Sequence, residues 1–365
     1  MKDFKWDLWD ISIIPAIISD INSRSECCTR YKENGMLPLM ASPMDTVVCK
    51  KNIHTYIDNG ITPCIPRGED LSLEEAEGLK KHAFRAFGLN EIEIQLEYYK
   101  TLNGSIPFSL YLDNDLQKIE NYVPFYQYPN VLIDMANGNM QRLIDIIKKI
   151  KDTFKINLMV GNVANPLTYK NLAMAGADLI RLGVGTGKGC TTAANVGIYY
   201  PMGSLIYECK KIKNEFDLKT KIVADGGMRC FDDIIKALAL GSDYILCGSI
   251  FNKTMQSAGF NYLYGIKIPY DMARILWKWG LPIKKKYRGM STKAVQRKWG
   301  KTKLVTSEGI TIYQKVEYNL SQWVENFEDY LKSCMSYCGA KTLEEFIGNV
   351  EWEFISYNSL KRFQK

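Results

Sequence analysis

The chain has 365 residues, 46% of them hydrophobic, and 47 Lys and Arg against 40 Asp and Glu, for a net charge of +7. This length suits one large domain or two ordinary ones with a sizeable core. No apolar run approaches the roughly 20 residues that span a bilayer, and the N-terminus lacks the apolar segment of a secretory signal, so neither a membrane partner nor export is expected.

Short β-branched or apolar runs recur in chain order at 37–42, 61–66, 106–112, 130–136, 157–163, 178–183, 221–227 and 244–250. Most are followed by a stretch with apolar residues at three- and four-residue steps, as in Met140–Lys151, Pro166–Ala175, Met202–Glu215 and Cys230–Leu240. Eight strands alternating with helices predict an α/β fold with a parallel sheet, closing into a (β/α)8 TIM barrel over residues 1–365 as a single unit. A doubly wound open sheet is the alternative, but no Gly-x-Gly-x-x-Gly follows an early strand. Two segments fall outside the alternation: an aromatic, Lys-rich insertion at 252–286, and a mobile flap at 287–312 ending in a hairpin.

Ten cysteines without a Cys-x-x-Cys pair, and only two histidines, read as reduced thiols in a cytoplasmic protein without structural zinc. The basic residues 284–286, 288 and 297–303 fit a solvated surface, a nucleic-acid patch or a segment over an anionic small ligand equally well.

In a barrel, ligands meet the C-terminal ends of the strands. Those ends carry Ser42-Pro-Met-Asp45, Pro66-Arg67, Asp134-Met-Ala-Asn-Gly138, Gly161-Asn162, Asp225-Gly-Gly227 and Gly248-Ser249. Gly226, Gly227, Gly248 and Ser249 offer backbone N–H groups with little obstruction, suiting a phosphate, and Asp225 is then free to accept from a ribose. The plain alternative is glycine for tight strand–helix turns. After the sixth run comes Gly183-Val-Gly-Thr-Gly-Lys-Gly-Cys-Thr-Thr192. Its glycines allow close approach of a ligand, and Cys190 as thiolate can attack an electrophilic carbon. His54 and His82 lie in expected helical stretches, away from any strand end.

These stretches, with Asn22-Ser-Arg-Ser-Glu-Cys27, Ile133-Asp-Met-Ala-Asn-Gly138, Tyr287-Arg-Gly-Met290, Ser307-Glu-Gly309 and Ser336-Tyr-Cys-Gly-Ala-Lys341, resemble the IMP dehydrogenase/GMP reductase family over almost the whole chain. The resemblance implies Cys190 as nucleophile on purine C2, and Met44, Met290 and Ser291 beside the substrate. It places Asp134, Ala136, Asn162, Ser336 and Tyr337 on the cofactor side. It also implies a K⁺ held by carbonyls of Gly185, Gly187 and Cys190, and a homotetramer. Thr192 and Glu308 match the pair with which the reductase handles departing ammonia, and Arg67 stands alone where the family has His-Lys or His-Arg.

The flap from Met290 to Glu308 lacks the Arg-Tyr pair with which the dehydrogenase activates water, and no paired regulatory domains fit between the second and third runs. Against this, Ser42-Pro43, Arg181 and Lys286-Tyr-Arg-Gly289 are spelled as in the dehydrogenase. The expectation is a GMP reductase using NADPH, with NAD(H) open. The alternatives are an IMP dehydrogenase and a catalytically idle nucleotide-binding barrel.

Overall fold

The computed structural model of the chain describes residues 4–361 except 70, 80–81, 102–109, 113–116, 120–122, 299–302 and 304–305. Eight parallel strands close into a barrel in chain order: β1 (Leu39–Ala41), β2 (Thr62–Ile65), β3 (Phe84–Phe87), β4 (Asn130–Asp134), β5 (Asn157–Val163), β6 (Leu179–Leu182), β7 (Lys221–Asp225) and β8 (Tyr244–Cys247), with β8 pairing back onto β1. Each is followed by a helix: α1 (Ile53–Asp58), α2 (Leu73–Leu79), α3 (Leu89–Thr101), α4 (Gln141–Thr153), α5 (Pro166–Met174), α6 (Met202–Glu215), α7 (Phe231–Ala239) and, after an insertion, α8 (Leu320–Tyr337).

The helices form because their apolar residues repeat at helical spacing. In α4, Leu143, Ile146, Ile147 and Ile150 make one fully buried stripe against the sheet. The α7 N-terminus carries Asp232 and Asp233, and the buried Asp233 carboxylate accepts from Arg229 N and Trp9 Nε1.

One strand was expected in the wrong place. The third barrel strand is Phe84–Phe87 and not 106–112; Leu110–Leu112 instead pairs antiparallel with Gln117–Ile119, while 106–109 lie outside the described residues. The Phe-Arg-Ala-Phe strand is short and carries a charge in its middle. The Arg85 guanidinium satisfies that charge by donating to the carbonyls of Pro66 (2.6 Å) and Glu69 (2.7 Å), clamping the loop after β2. Nor is His82 helical; it lies in the turn leading into β3.

The insertion is an ordered module. Strands β9 (Asn261–Leu263), β10 (Ile266–Ile268), β11 (Lys284–Arg288) and β12 (Thr311–Lys315) form an antiparallel sheet in the order β10-β9-β11-β12, crossed by a helix at Tyr270–Lys278. Met255, Ala273, Ile283 and Val316 form its own small core. The flap is therefore the excursion between β11 and β12, with Tyr287 and Arg288 inside the sheet at its root.

Lys285 is wholly buried in this module, its ammonium donating to the Ser257 carbonyl at 2.6 Å. Burial lowers its pKa from 10.5 to about 7, against a small opposing pull from Cys49. Between those pH values the folded state binds fewer protons than the unfolded one, so on this residue's account stability rises from pH 7 toward pH 10. Lys285→Met is expected to raise the thermal midpoint at pH 7 by about 3 °C. That gap over the wild type should close by pH 10 in thermal melts; a gap that does not change with pH would exclude a buried charge as its cause.

Candidate active site

A cavity of about 600 Å³ lies at the N-terminal ends of the strands, lined by Met40, Thr62, Phe84, Leu179 and Tyr244 together with His82. Charges around it are matched in pairs, Lys221 with Glu33, Lys219 with Asp217 and Lys151 with Asp178. The residues singled out for chemistry sit at the opposite, C-terminal end, where a barrel concentrates its loops.

Three strand ends are locked by one guanidinium. Arg181 on β6 donates from Nη1 to Asp134 Oδ1 on β4 (2.6 Å) and from Nη2 to Asp225 Oδ2 on β7 (2.7 Å). Burial pulls the Arg181 pKa down, but the adjacent Asp225 and Asp134 charges more than reverse this and leave it above its ordinary value. Asn162 Nδ2 adds a 2.7 Å bond to Asp225 Oδ2 and another to the Gly183 carbonyl. Both bonds to Asp225 use the same oxygen. Among the described residues Oδ1 of Asp225 and Oδ2 of Asp134 accept nothing, leaving one acceptor on each carboxylate.

The Cys190 loop needs its glycines. At Gly183, φ is +123° and a Cβ would lie 2.4 Å from the Asp225 carbonyl; at Gly226, φ is +84° and a Cβ would meet Thr186 Oγ1 at 2.6 Å. The loop therefore lies flush against the end of β7. The Cys190 thiol donates to Thr192 Oγ1 (3.2 Å), and Thr192 Oγ1 donates to Glu308 Oε2 (2.5 Å).

Glu308 comes from the returning limb of the flap, 118 residues away from Cys190. It is placed by backbone: Thr191 N donates to Glu308 O (2.7 Å), Ile310 N donates to Gly189 O (3.0 Å), and Cys190 and Gly309 form an antiparallel bridge. The three carbonyls that the resemblance assigns to a cation, of Gly185, Gly187 and Cys190, belong to this loop. That of Gly187 already accepts the Cys190 N–H at 2.9 Å.

The glycines expected to cradle an anion lie at the ends of β7 and β8. A Cβ on Gly248 would meet Tyr287 Oη (2.9 Å), Met44 Sδ (3.2 Å) and Ser42 Oγ (3.4 Å), so these three converge on it. Gly227 and Ser249 come next in the chain after Gly226 and Gly248, and Arg288 on β11 pairs with Asp45 on the loop after β1. In the flap, Ser291 Oγ lies against Gly309, and Met290 follows the root strand after one intervening residue, Gly289. Arg67 packs its guanidinium on Gly88, where a Cβ would approach Nη2 to 2.4 Å.

Ala136 is exposed in the loop after β4, which is laced to β5 by Gly138 N to Asn162 O (2.7 Å). Ser336 and Tyr337 end α8 instead, with Ser336 O accepting from Ser19 Oγ and Tyr337 O from Ala16 N. Among the described residues none of their contacts reaches Asp134 or Asn162. Sequence reasoning passed over Tyr287, Arg85, Lys188 and Gln314 as site residues.

Residues 116–364 match the family described as the IMP dehydrogenase / GMP reductase domain. The chain is 34% identical over 232 residues to an inosine-5'-monophosphate dehydrogenase of Chlorobaculum parvum, covering 63% of this chain and 46% of that protein. It thus spans about half the length of the dehydrogenases it matches. It is 29% identical over 259 residues to a GMP reductase of Onchocerca volvulus, covering 70% and 66%. With GMP reductase 2 of Bos taurus it shares 28% identity over 363 residues, 94% of this chain and 92% of that protein.

Proposed function

The chain belongs to the IMP dehydrogenase / GMP reductase family, and we propose that within it this barrel catalyses the reductive deamination of GMP to IMP and ammonia. The observation that carries this reading is the unbroken hydrogen-bond chain from the Cys190 thiol through Thr192 to Glu308. Ammonia leaving a purine ring needs a proton delivered beside the attacking sulfur, and that chain leads there. Hydrolysis of the same adduct would instead need a base aimed at water. The flap sequence holds no Arg-Tyr pair for that task.

In the reaction the Cys190 sulfur bonds to C2 of GMP and the C2–N bond breaks. Glu308 and Thr192 protonate the departing amine. Asp225, its Oδ2 fixed by Arg181 and Asn162, accepts from the ribose hydroxyls with Oδ1. Gly226, Gly227, Gly248, Ser249 and the Tyr287 hydroxyl take the phosphate, and Met44, Met290 and Ser291 flank the base. Arg67 supplies the charge on the β2 side.

The open Oδ2 of Asp134, with Asn162 beside it, fits the carboxamide of a nicotinamide. When bound, a reduced nicotinamide, NADPH in this proposal, would supply the hydride that C2 takes up as the Cys190 sulfur leaves. In this proposal the carbonyls of Gly185 and Cys190 would hold a K⁺ that stiffens the loop. Ser336 and Tyr337 reach the cofactor from a neighbouring subunit of a homotetramer in this reading. Their 68% exposed Tyr337 ring and the 99% exposed Ile17 near it suit burial in such an interface.

The test is an assay of purified protein with GMP and NADPH, following loss of the reduced-nicotinamide absorbance. Consumption with GMP and none of NAD⁺ with IMP is the expected result. Turnover of IMP with NAD⁺ alone would make the protein a dehydrogenase, and tight nucleotide binding without either activity would make it an idle binding barrel.

A further inference from the structure

Resting on the purine-nucleotide reading, we propose that Lys188 is the specificity determinant that reads the double negative charge of the substrate's 5'-phosphate. Its backbone is stitched between the two borders of the anion cradle. On one side Gly187 N would lie 3.1 Å from a Cβ on Gly226; on the other, a Cβ on Gly189 would touch the Tyr287 ring at 3.2 Å.

The side chain is aimed by Gln314, which is buried in β12. Gln314 commits its amide nitrogen to Ser249 O (3.3 Å) and Asn252 Oδ1 (2.9 Å), so only its oxygen is left to face the ammonium. Lys188 Nζ donates to that oxygen at 2.8 Å. The ammonium is thereby held one amide away from Ser249.

No carboxylate neutralises it among the described residues. The neighbouring cations are committed elsewhere, Arg181 to Asp134 and Asp225 and Arg288 to Asp45. A second donor opens on the same cradle: the Tyr287 hydroxyl is buried, and its one described partner is the Met44 sulfur at 3.5 Å. A thioether is a weak acceptor, so that hydroxyl is poorly satisfied. An exposed, unneutralised ammonium with two protons free for a ligand, together with a buried, under-bonded hydroxyl, suits an acceptor-rich anion. A lysine on a four-carbon stem serves such an anion as a mobile point charge.

The experiment measures affinities of the full chain for GMP and guanosine by calorimetry at pH 7.5 and 5.5, in the wild type, Lys188→Gln and Lys188→Arg. Lys188→Gln is expected to weaken GMP by about 10- to 30-fold, the worth of one charge-assisted hydrogen bond, and to leave guanosine unchanged. Lys188→Arg recovers most of the loss. Because the phosphate's second proton binds near pH ~6, the wild type's advantage over Lys188→Gln shrinks several-fold at pH 5.5. A merely structural lysine would weaken both ligands alike and leave the pH profile untouched, which overturns the proposal, as does equal GMP affinity in Lys188→Gln. A wild type that binds neither GMP nor guanosine overturns the nucleotide reading and takes this inference with it.

Discussion

Cys190→Ala is expected to abolish turnover, by at least about 10⁴-fold in kcat, while GMP affinity stays within about threefold. The sulfur sits at the end of a loop whose shape is set by the glycines packed on Asp225 and Thr186 and by the bridge to Gly309. None of those contacts uses the thiol, so alanine leaves the loop in place. The proposed phosphate cradle and Asp225 are likewise untouched, so binding is expected to survive. On the proposed mechanism, what is lost is the bond to C2, without which the amine has no route out and the ring accepts no hydride. Paired measurements of kcat and of GMP affinity by calorimetry check this. Residual turnover above about a hundredth of wild type would remove the sulfur from its assigned place, whereas joint loss of turnover and binding would mean that the loop itself had collapsed.

Glu308→Gln separates the two halves of the reaction. Glutamine keeps the shape of glutamate and can still accept from Thr192, but it cannot give up a proton to a leaving amine. Deamination of GMP is expected to slow by about 10²- to 10³-fold. Hydride exchange between IMP and the nicotinamide, which breaks no C–N bond, should slow by less than a tenth as much. Stopped-flow rates for both, in the same buffer, decide it. Equal losses would show that Glu308 acts through flap docking, since its backbone carbonyl also holds Thr191.

Much of this was legible in the chain. Seven of the eight barrel strands announced themselves as apolar runs, and Met202–Glu215 was read to its exact ends because Met202, Leu205, Ile206 and Cys209 repeat on one buried face. The third strand was not legible: Arg85 breaks a four-residue apolar run, and only the fold shows that two carbonyls of another loop absorb its charge. The insertion read as an excursion because its small core draws on residues from Met255 to Val316 that no local period connects.

In the site, the strand-end rule found Asp134, Asn162 and Asp225, yet could not say that Arg181 joins two of them, since a charged residue inside a strand gives no local sign of its partner. Gln314 hides for a similar reason. It alternates with exposed neighbours in β12 like any solvated edge residue, and its partners at 188, 249 and 252 are joined only by the closed barrel. Glu308 was identified through family resemblance. Its geometry, a strand-like bridge between a flap and a loop, has no signature along the chain.

That bridge has a consequence for timing. Glu308 and the bridge beside the sulfur belong to the same limb, so if that limb lifts, the acid and the cover over the thiol leave together. With the limb lifted, the adduct-forming thiol has neither an acid partner nor a roof; with it down, it has both.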